Sequence, residues 1–495
     1  MRISGIDFGI LAAYLAAVTL FGLRFRRGQT SLREYFLSSR SAPWWALAGS
    51  IVATETSTLT IISTPGLAYA GDLGFLQIVI GYLVARVVIC LIFIPQYFRG
   101  EYFTAYQLIE KRFGERMKSA AATVFLVTRA LAEGVRINAI GKVVSVAFGT
   151  GERLSVAVMT LLVIVYTYAG GMRAVIWTDF AQLVLYIGGS VVAFFLLLHR
   201  IPGGWGEVAR LAAPGHKLQV FHFHFSLTQP YTFWAGVIGG TFLTMASHGT
   251  DQTMVQRLLA ARSERESKAA LLASGVIVFV QFALFLVIGV MLYAFARHTG
   301  LLPPGGDTDR LFPEFIVRDM PAGLAGLMLA AIFAVAMSNA SGSLNSLASS
   351  SMVDFKRLRR GRALDDARLV GVSRWVTVGW GVVLGLLGLL HWGVVLVAGL
   401  TIASITYGGL LGLFLLGVAD RRATPRGALA GMLAGLAVMV MVQFARPIAA
   451  FAGIALQGTI AWTWYVLVGT IVTFATGWLV SRLAPGAPAS GGEPR

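Results

Sequence analysis

Apolar runs of about bilayer-spanning length follow one another along the whole chain, and no other feature limits its fold so strongly. A helix needs about 20 apolar residues to cross the hydrocarbon core. Spans read near 5–23, 43–70, 74–97, 119–148, 153–169, 174–198, 231–250, 269–296, 321–352, 375–390, 392–418, 427–445 and 459–481, about 13 in all. Composition agrees: 13% of the 495 residues are charged and 56% hydrophobic, where a soluble domain carries about 25% charged residues. The expected class is an all-α integral membrane protein. The first run follows one Arg and ends in a basic block instead of a small-residue cleavage site, so it reads as a retained helix. The single cysteine, Cys90, excludes an intrachain disulfide and a Cys-based metal cluster, and reads as a small buried hydrophobe.

The net charge of +17 is explained by topology. Alternate loops on one side hold 27 Lys and Arg residues against 9 on the other. That bias places the basic side in the cytoplasm, the N-terminus outside and the C-terminus inside, in a multi-pass cytoplasmic (inner) membrane protein. No nucleic-acid partner is needed to account for the charge, and no obligate protein partner is evident. The outer loops 199–230 and 297–320 are expected to form short lid-like helices, and the tail from Pro485 to be disordered.

Polar residues interrupt the lipid-like pattern in four places. The second span carries Ser50, Thr54, Glu55, Thr56, Ser57, Thr58 and Thr60, then Ser63-Thr64-Pro65-Gly66. A helix unwound there exposes carbonyl oxygens suited to a monovalent cation, whereas an intact one would bond its hydroxyls to its own carbonyls. The ninth span places Ser338, Ser341 and Asn345 on one face, beside Asn339 and Ser343, a stripe fitting either an ion site or close helix packing. The fourth span holds Arg129, Glu133 and Arg136, spaced for an internal ion-pair ladder, or for an Arg with donors left for an anionic solute. The seventh is interrupted by Gly236, Gly239 and Gly240 and runs past His248, read as a satisfied histidine, into Asp251-Gln252. Interruptions in spans two and seven correspond if spans 2–6 and 7–11 are inverted halves, the pointer to a midplane transport site.

The stretch from Gly170-Gly171 to Trp177-Thr178-Asp179 and Gln182 makes a very short turn between two spans, with a carboxylate at the next entrance. Such a carboxylate is costly without a partner. Nothing resembles an enzyme site: Walker, HExxH and GxSxG patterns are missing, so the chain is expected to be no enzyme and to need no cofactor beyond a coupling ion.

These residues resemble the sodium:solute symporter family. The signature is 170–182; Asp251-Gln252 with Gln256-Arg257, and Phe414 to Gly417 with Arg422 to Thr424, resemble two further family elements. The resemblance implies a LeuT-type 5+5 inverted repeat with one extra N-terminal and two extra C-terminal helices. It divides the chain into 1–42 (first helix and basic loop), 43–198 (first repeat), 199–230 (outer loop), 231–418 (second repeat), 419–483 (two helices) and 484–495 (tail). It further implies sodium-coupled symport of a small polar organic solute into the cell by alternating access. Proton coupling through Glu55 or Asp179, a transporter-like solute sensor and a passive channel are the alternatives.

Carried over by position, the main sodium site consists of Ala53, Thr56, Val335, Ser338 and Asn339, with Asn339 standing where most members have Ser or Thr. A second sodium site, or a sodium exit, falls on Asp179, Ser338 and Ser341, but Gly342 lacks the hydroxyl of two-sodium members. One sodium per cycle is the expectation. Glu55, Ser57, Thr60, Gln77 and Phe242 are the solute-site candidates. Leu400 stands where sugar carriers have Gln, which argues against a close sugar-carrier match.

Overall fold

The computed structural model describes residues 4–24, 42–100, 102, 104–300, 308–353, 366–390, 392, 395–451 and 458–483. The expected disordered tail and much of the basic loop after the first helix lie outside these residues. The helices are α1 (Gly5–Arg24), α2 (Trp44–Glu55), α3 (Thr58–Ala70), α4 (Leu76–Phe98), α5 (Tyr106–Phe113), α6 (Glu115–Phe148), α7 (Glu152–Arg200), α8 (Gly204–Ala212), α9 (Gly240–Gly249), α10 (Gln252–Leu259), α11 (Glu264–Thr299), α12 (Leu311–Asp319), α13 (Leu324–Val353), α14 (Asp366–Gly388), α15 (Val395–Ala419), α16 (Pro425–Gln443), α17 (Ala445–Phe451) and α18 (Tyr465–Leu483). Among the described residues, eight helices are long and apolar enough to cross a membrane, or nine with the bent pair α2–α3 taken as one span. Helices overlap each of the thirteen stretches read as spans from the sequence.

The second span breaks earlier than Ser63–Gly66. Thr56 and Ser57 are extended, and α2 and α3 meet at 62°. Ser57 restarts the helix through a reciprocal capping box: its Oγ accepts from the Thr60 N–H at 3.3 Å, while Thr60 Oγ1 accepts from the Ser57 N–H at 3.1 Å. Pro65 is accommodated inside α3. The seventh span also departs from expectation. Gly236–Gly240 do not unwind; Ala235–Gly239 form a π-helical turn that continues into α9. These glycines permit close approach instead: a Cβ on Gly236 would lie 2.8 Å from the Gln77 backbone carbon, and one on Gly240 would strike the Ile78 carbonyl. The break comes after α9, where Asp251 caps α10 through the Thr253 N–H at 2.8 Å.

The Gly170-Gly171 turn is not a loop: the backbone is helical throughout α7. Its 49 residues would extend about 74 Å if straight. Yet Glu152, at its start, meets Arg310 at 3.8 Å, and Arg200, at its end, meets Asp319 at 3.8 Å. Arg310 and Asp319 bracket the nine-residue α12, which is only about 14 Å long. The run therefore folds back on itself, bringing its two ends to opposite ends of the same short helix. The extra first helix docks by Asp7, whose Oδ1 accepts from the Gly323 and Gly326 N–H groups, both at 2.7 Å, at the start of α13. The loops 199–230 and 297–320 do hold short helices, α8 and α12.

Candidate cation and solute site

The break after α2 frees carbonyls that a continuous helix would use, and α13 passes beside them. Asn339 of α13 is 1% exposed. Its Nδ2 donates to the Thr56 carbonyl at 2.6 Å, to Val335 at 3.0 Å and, at 3.5 Å, to Ala53. Those are the three carbonyls expected to hold sodium. Asn339 Oδ1, on the other side of the amide, is buried and has no hydrogen-bond partner among the described residues. The Thr56 side chain faces away from this cage: Gln281 Nε2 donates to its Oγ1 at 2.8 Å, and the Tyr186 hydroxyl donates to it at 3.1 Å. The Ser338 side chain lies outside the described residues.

Asp179 is fully buried and ion-paired to Arg257 Nη2 at 2.9 Å, with both side chains at 0% exposure. Ser50 Oγ donates to the same carboxylate oxygen at 2.6 Å and accepts from Arg257 Nε at 2.9 Å, while Arg257 Nη1 donates to the Thr253 carbonyl at 2.8 Å. Gly342 matters here for a reason beyond its missing hydroxyl. A Cβ at that position would lie 2.7 Å from Arg257 Nη2. The bare backbone of α13 makes the room that the guanidinium occupies. Four elements meet at this cluster: α2, α7, α10 and α13.

Glu55, at the end of α2, ion-pairs with Arg86 of α4 and lies 3.4 Å from His248 Nε2. Arg86 is buried and also donates to the Tyr82 carbonyl and to Ser274. The ladder on α6 forms as its spacing indicates, Glu133 meeting Arg129 at 3.6 Å and Arg136 at 3.1 Å. Ser343 of α13 ties into it, accepting from Arg129 Nε at 2.9 Å and donating to Glu133 at 2.8 Å. Arg136 differs from Arg129. Among the described residues its guanidinium bonds only Glu133, through Nη1. It lines a cavity with Thr58, Glu133, Met159, Thr160 and Asn339.

The other solute candidates are engaged in structure. Ser57 and Thr60 hold the capping box. Gln77 joins the loop before α9 to α4: Nε2 donates to the Gly74 and Tyr231 carbonyls, and Oε1 accepts from the His222 N–H. Phe242 packs half-buried against the core. Neither Gln77 nor Phe242 lines the cavity beside Asn339. Sequence reasoning missed Arg86 and Gln281, although one is the single charge in the span 74–97 and the other the single amide in 269–296, so each carried its own signal.

The chain matches the model of the sodium:solute symporter family over residues 35–435. It is 29% identical over 493 residues to the sodium/sialic acid symporter SiaT of Proteus mirabilis (strain HI4320), covering 94% of each chain. To the sodium/iodide cotransporter of Homo sapiens it is 30% identical over 450 residues, covering 88% of this chain and 69% of the other. Among solved structures, that of a sodium-coupled sialic acid symporter in a substrate-bound outward-open state aligns with a TM-score of 0.87 at 28% identity, over 99% of each chain.

Proposed function

The chain belongs to the sodium:solute symporter family, and from that premise we propose that it carries a small organic anion into the cell together with one sodium ion. The chain is a sodium-coupled symporter with the LeuT-type inverted-repeat fold, working by alternating access. The finer reading concerns ion, solute and direction. Sodium is assigned to the carbonyls of Ala53, Thr56 and Val335 with Ser338 and Asn339. Asp179 holds Arg257 instead of a second ion, and Ser341 then belongs to the packing around that pair. The protein sits in the cytoplasmic membrane with its N-terminus outside.

One observation carries the solute class: Arg136 reaches a cavity shared with Asn339 while, among the described residues, using a single nitrogen on Glu133. A guanidinium with free donors is suited to a carboxylate, which it binds as a fork. Sialic acid and iodide, named for two relatives, are both anions at neutral pH. Thr58, on the same cavity wall, supplies a hydroxyl for orientation.

The test is uptake into proteoliposomes by R136Q and R136K, alongside sodium-dependent thermal stabilisation. R136Q is expected to raise the KM for a carboxylate solute at least about tenfold, the loss of a charge-assisted hydrogen bond of ~1.5–3 kcal/mol, while sodium stabilisation stays. An unchanged KM in R136Q would remove Arg136 from the solute site.

A further inference from the structure

We propose that Asn339 is a turning ligand: its amide nitrogen and the coupling sodium compete for the same three backbone carbonyls, and the amide rotates to offer its oxygen when the ion arrives. The inference rests on the cation site assigned above and adds to it a second, opposite role for one of its residues.

The argument starts from the donor set. Thr56, Val335 and Ala53 all present carbonyl oxygens to one point, and Nδ2 of Asn339 lies at that point. An amide has two N–H donors on one side and a pure acceptor on the other. Facing three acceptors, only the NH2 side fits; the oxygen would add a fourth lone-pair group to the cluster. A cation at the same point reverses that preference, because every ligand must then be an acceptor. The two arrangements exclude each other, so sodium binding requires the side chain to turn about its last torsion.

Among the described residues no donor reaches Asn339 Oδ1. No hydrogen bond there has to break for this turn, so the cage selects the orientation. The cavity that Asn339 lines with Thr58 and Arg136 leaves space beside the amide. A Ser or Thr at this position has one O–H and closes at most one carbonyl. This chain therefore holds its cage closed by its own side chain, and sodium must displace those hydrogen bonds to bind.

The experiment uses the full-length purified protein, titrated with sodium against choline and read by thermal unfolding. In choline, N339S is expected to unfold at a lower temperature than the wild type, because it loses the bonds that close the cage. Its sodium half-saturation should fall about tenfold, the equivalent of about two net hydrogen bonds removed from the competing state. N339T serves as the second variant if N339S does not fold. Sodium affinity that is unchanged or weaker in both overturns the turning ligand and leaves the amide an ordinary oxygen ligand. S338A separates the two levels. If S338A leaves the sodium response untouched, the site itself is wrong and the inference falls with it. If S338A abolishes the response while N339S and N339T fail to tighten it, the site stands and only the turning amide is lost.

Discussion

At the scale of single residues, the cation sites indicated by sequence are met by groups of the protein itself. Arg257 at Asp179 is the firmer case, because both side chains are fully buried and Ser50 bonds to each. Removing one partner of such a pair leaves an uncompensated buried charge, a cost of about 3–5 kcal/mol. D179N should therefore unfold well below the wild type in detergent, and D179N/R257Q should recover part of the loss. G342A tests the same geometry from the side of α13: its methyl group has to displace Arg257, at about 1–3 kcal/mol. A D179N protein as stable as the wild type, with weaker sodium binding, would mean that Asp179 serves an ion and not the arginine. The sequence marked Asp179 as a carboxylate costly at its depth, and the family resemblance marked Asn339 and Gly342 as departures from its pattern. It did not pair Asp179 with Arg257, 78 positions away, because that contact arises only when α7 and α10 pack on α2. Gly342 read as a lost hydroxyl; the guanidinium beside it was visible only in three dimensions.

At the scale of elements, the break between α2 and α3 is legible as a hydroxyl-rich run, but its place is decided by capping. Ser57 with Thr60 fits the box, whereas Pro65 sits within α3 because nearby elements accept its shape; the Pro65 carbonyl packs against Gly289 of α11. S57A should cost about 0.5–2 kcal/mol of stability, measurable as a lower unfolding temperature in choline and in sodium alike; an effect seen only in sodium would make Ser57 a ligand and not a cap. The glycines of α16 carry a different message. Gly427, Gly431 and Gly435 recur every four residues and face Thr473, Gly477 and Ser481 of α18, so the two C-terminal helices approach through small residues. Below them, Asp420 accepts from Arg482 Nη1 at 2.7 Å, and this hydrogen bond leads the causes that hold its carboxyl below the usual value. A depressed carboxyl contributes stability that is present above the unfolded pKa and lost as pH falls through the folded one. Acidification from pH 5 downward should thus loosen the junction of α15 with α18 in the wild type. D420N should remove that part of the acid sensitivity; hydrogen exchange at the ends of these helices would report it, and equal acid loosening in D420N would exclude Asp420 as its source.

At the scale of the whole molecule, the count of charges crossing the membrane joins the two halves of the proposal. If Arg257 keeps Asp179 from a second ion, one sodium moves per cycle. If Arg136 selects a monovalent anion, that sodium and the solute cancel, and no net charge crosses. The membrane potential then contributes nothing to accumulation, and the sodium gradient alone drives it. A tenfold gradient supports about tenfold accumulation, or ~1.4 kcal/mol. A second sodium would add one net charge, worth about 2.3 kcal/mol per 100 mV, roughly a further fiftyfold. The measurement is solute accumulation in proteoliposomes at a fixed tenfold sodium gradient, with a potassium diffusion potential set to zero or to about 100 mV, negative inside. The plateau is expected to be the same at both potentials, and sodium activation to follow a single-site curve. A plateau that rises steeply with potential would require either a second sodium or a neutral solute, and the curve separates them. Sigmoidal sodium activation would return Asp179 to ion binding, while a single-site curve with a voltage-driven plateau would take the anion away from Arg136. Both readings hang on side chains that α13 brings together, Gly342 admitting one guanidinium and Asn339 standing on the cavity wall beside the other.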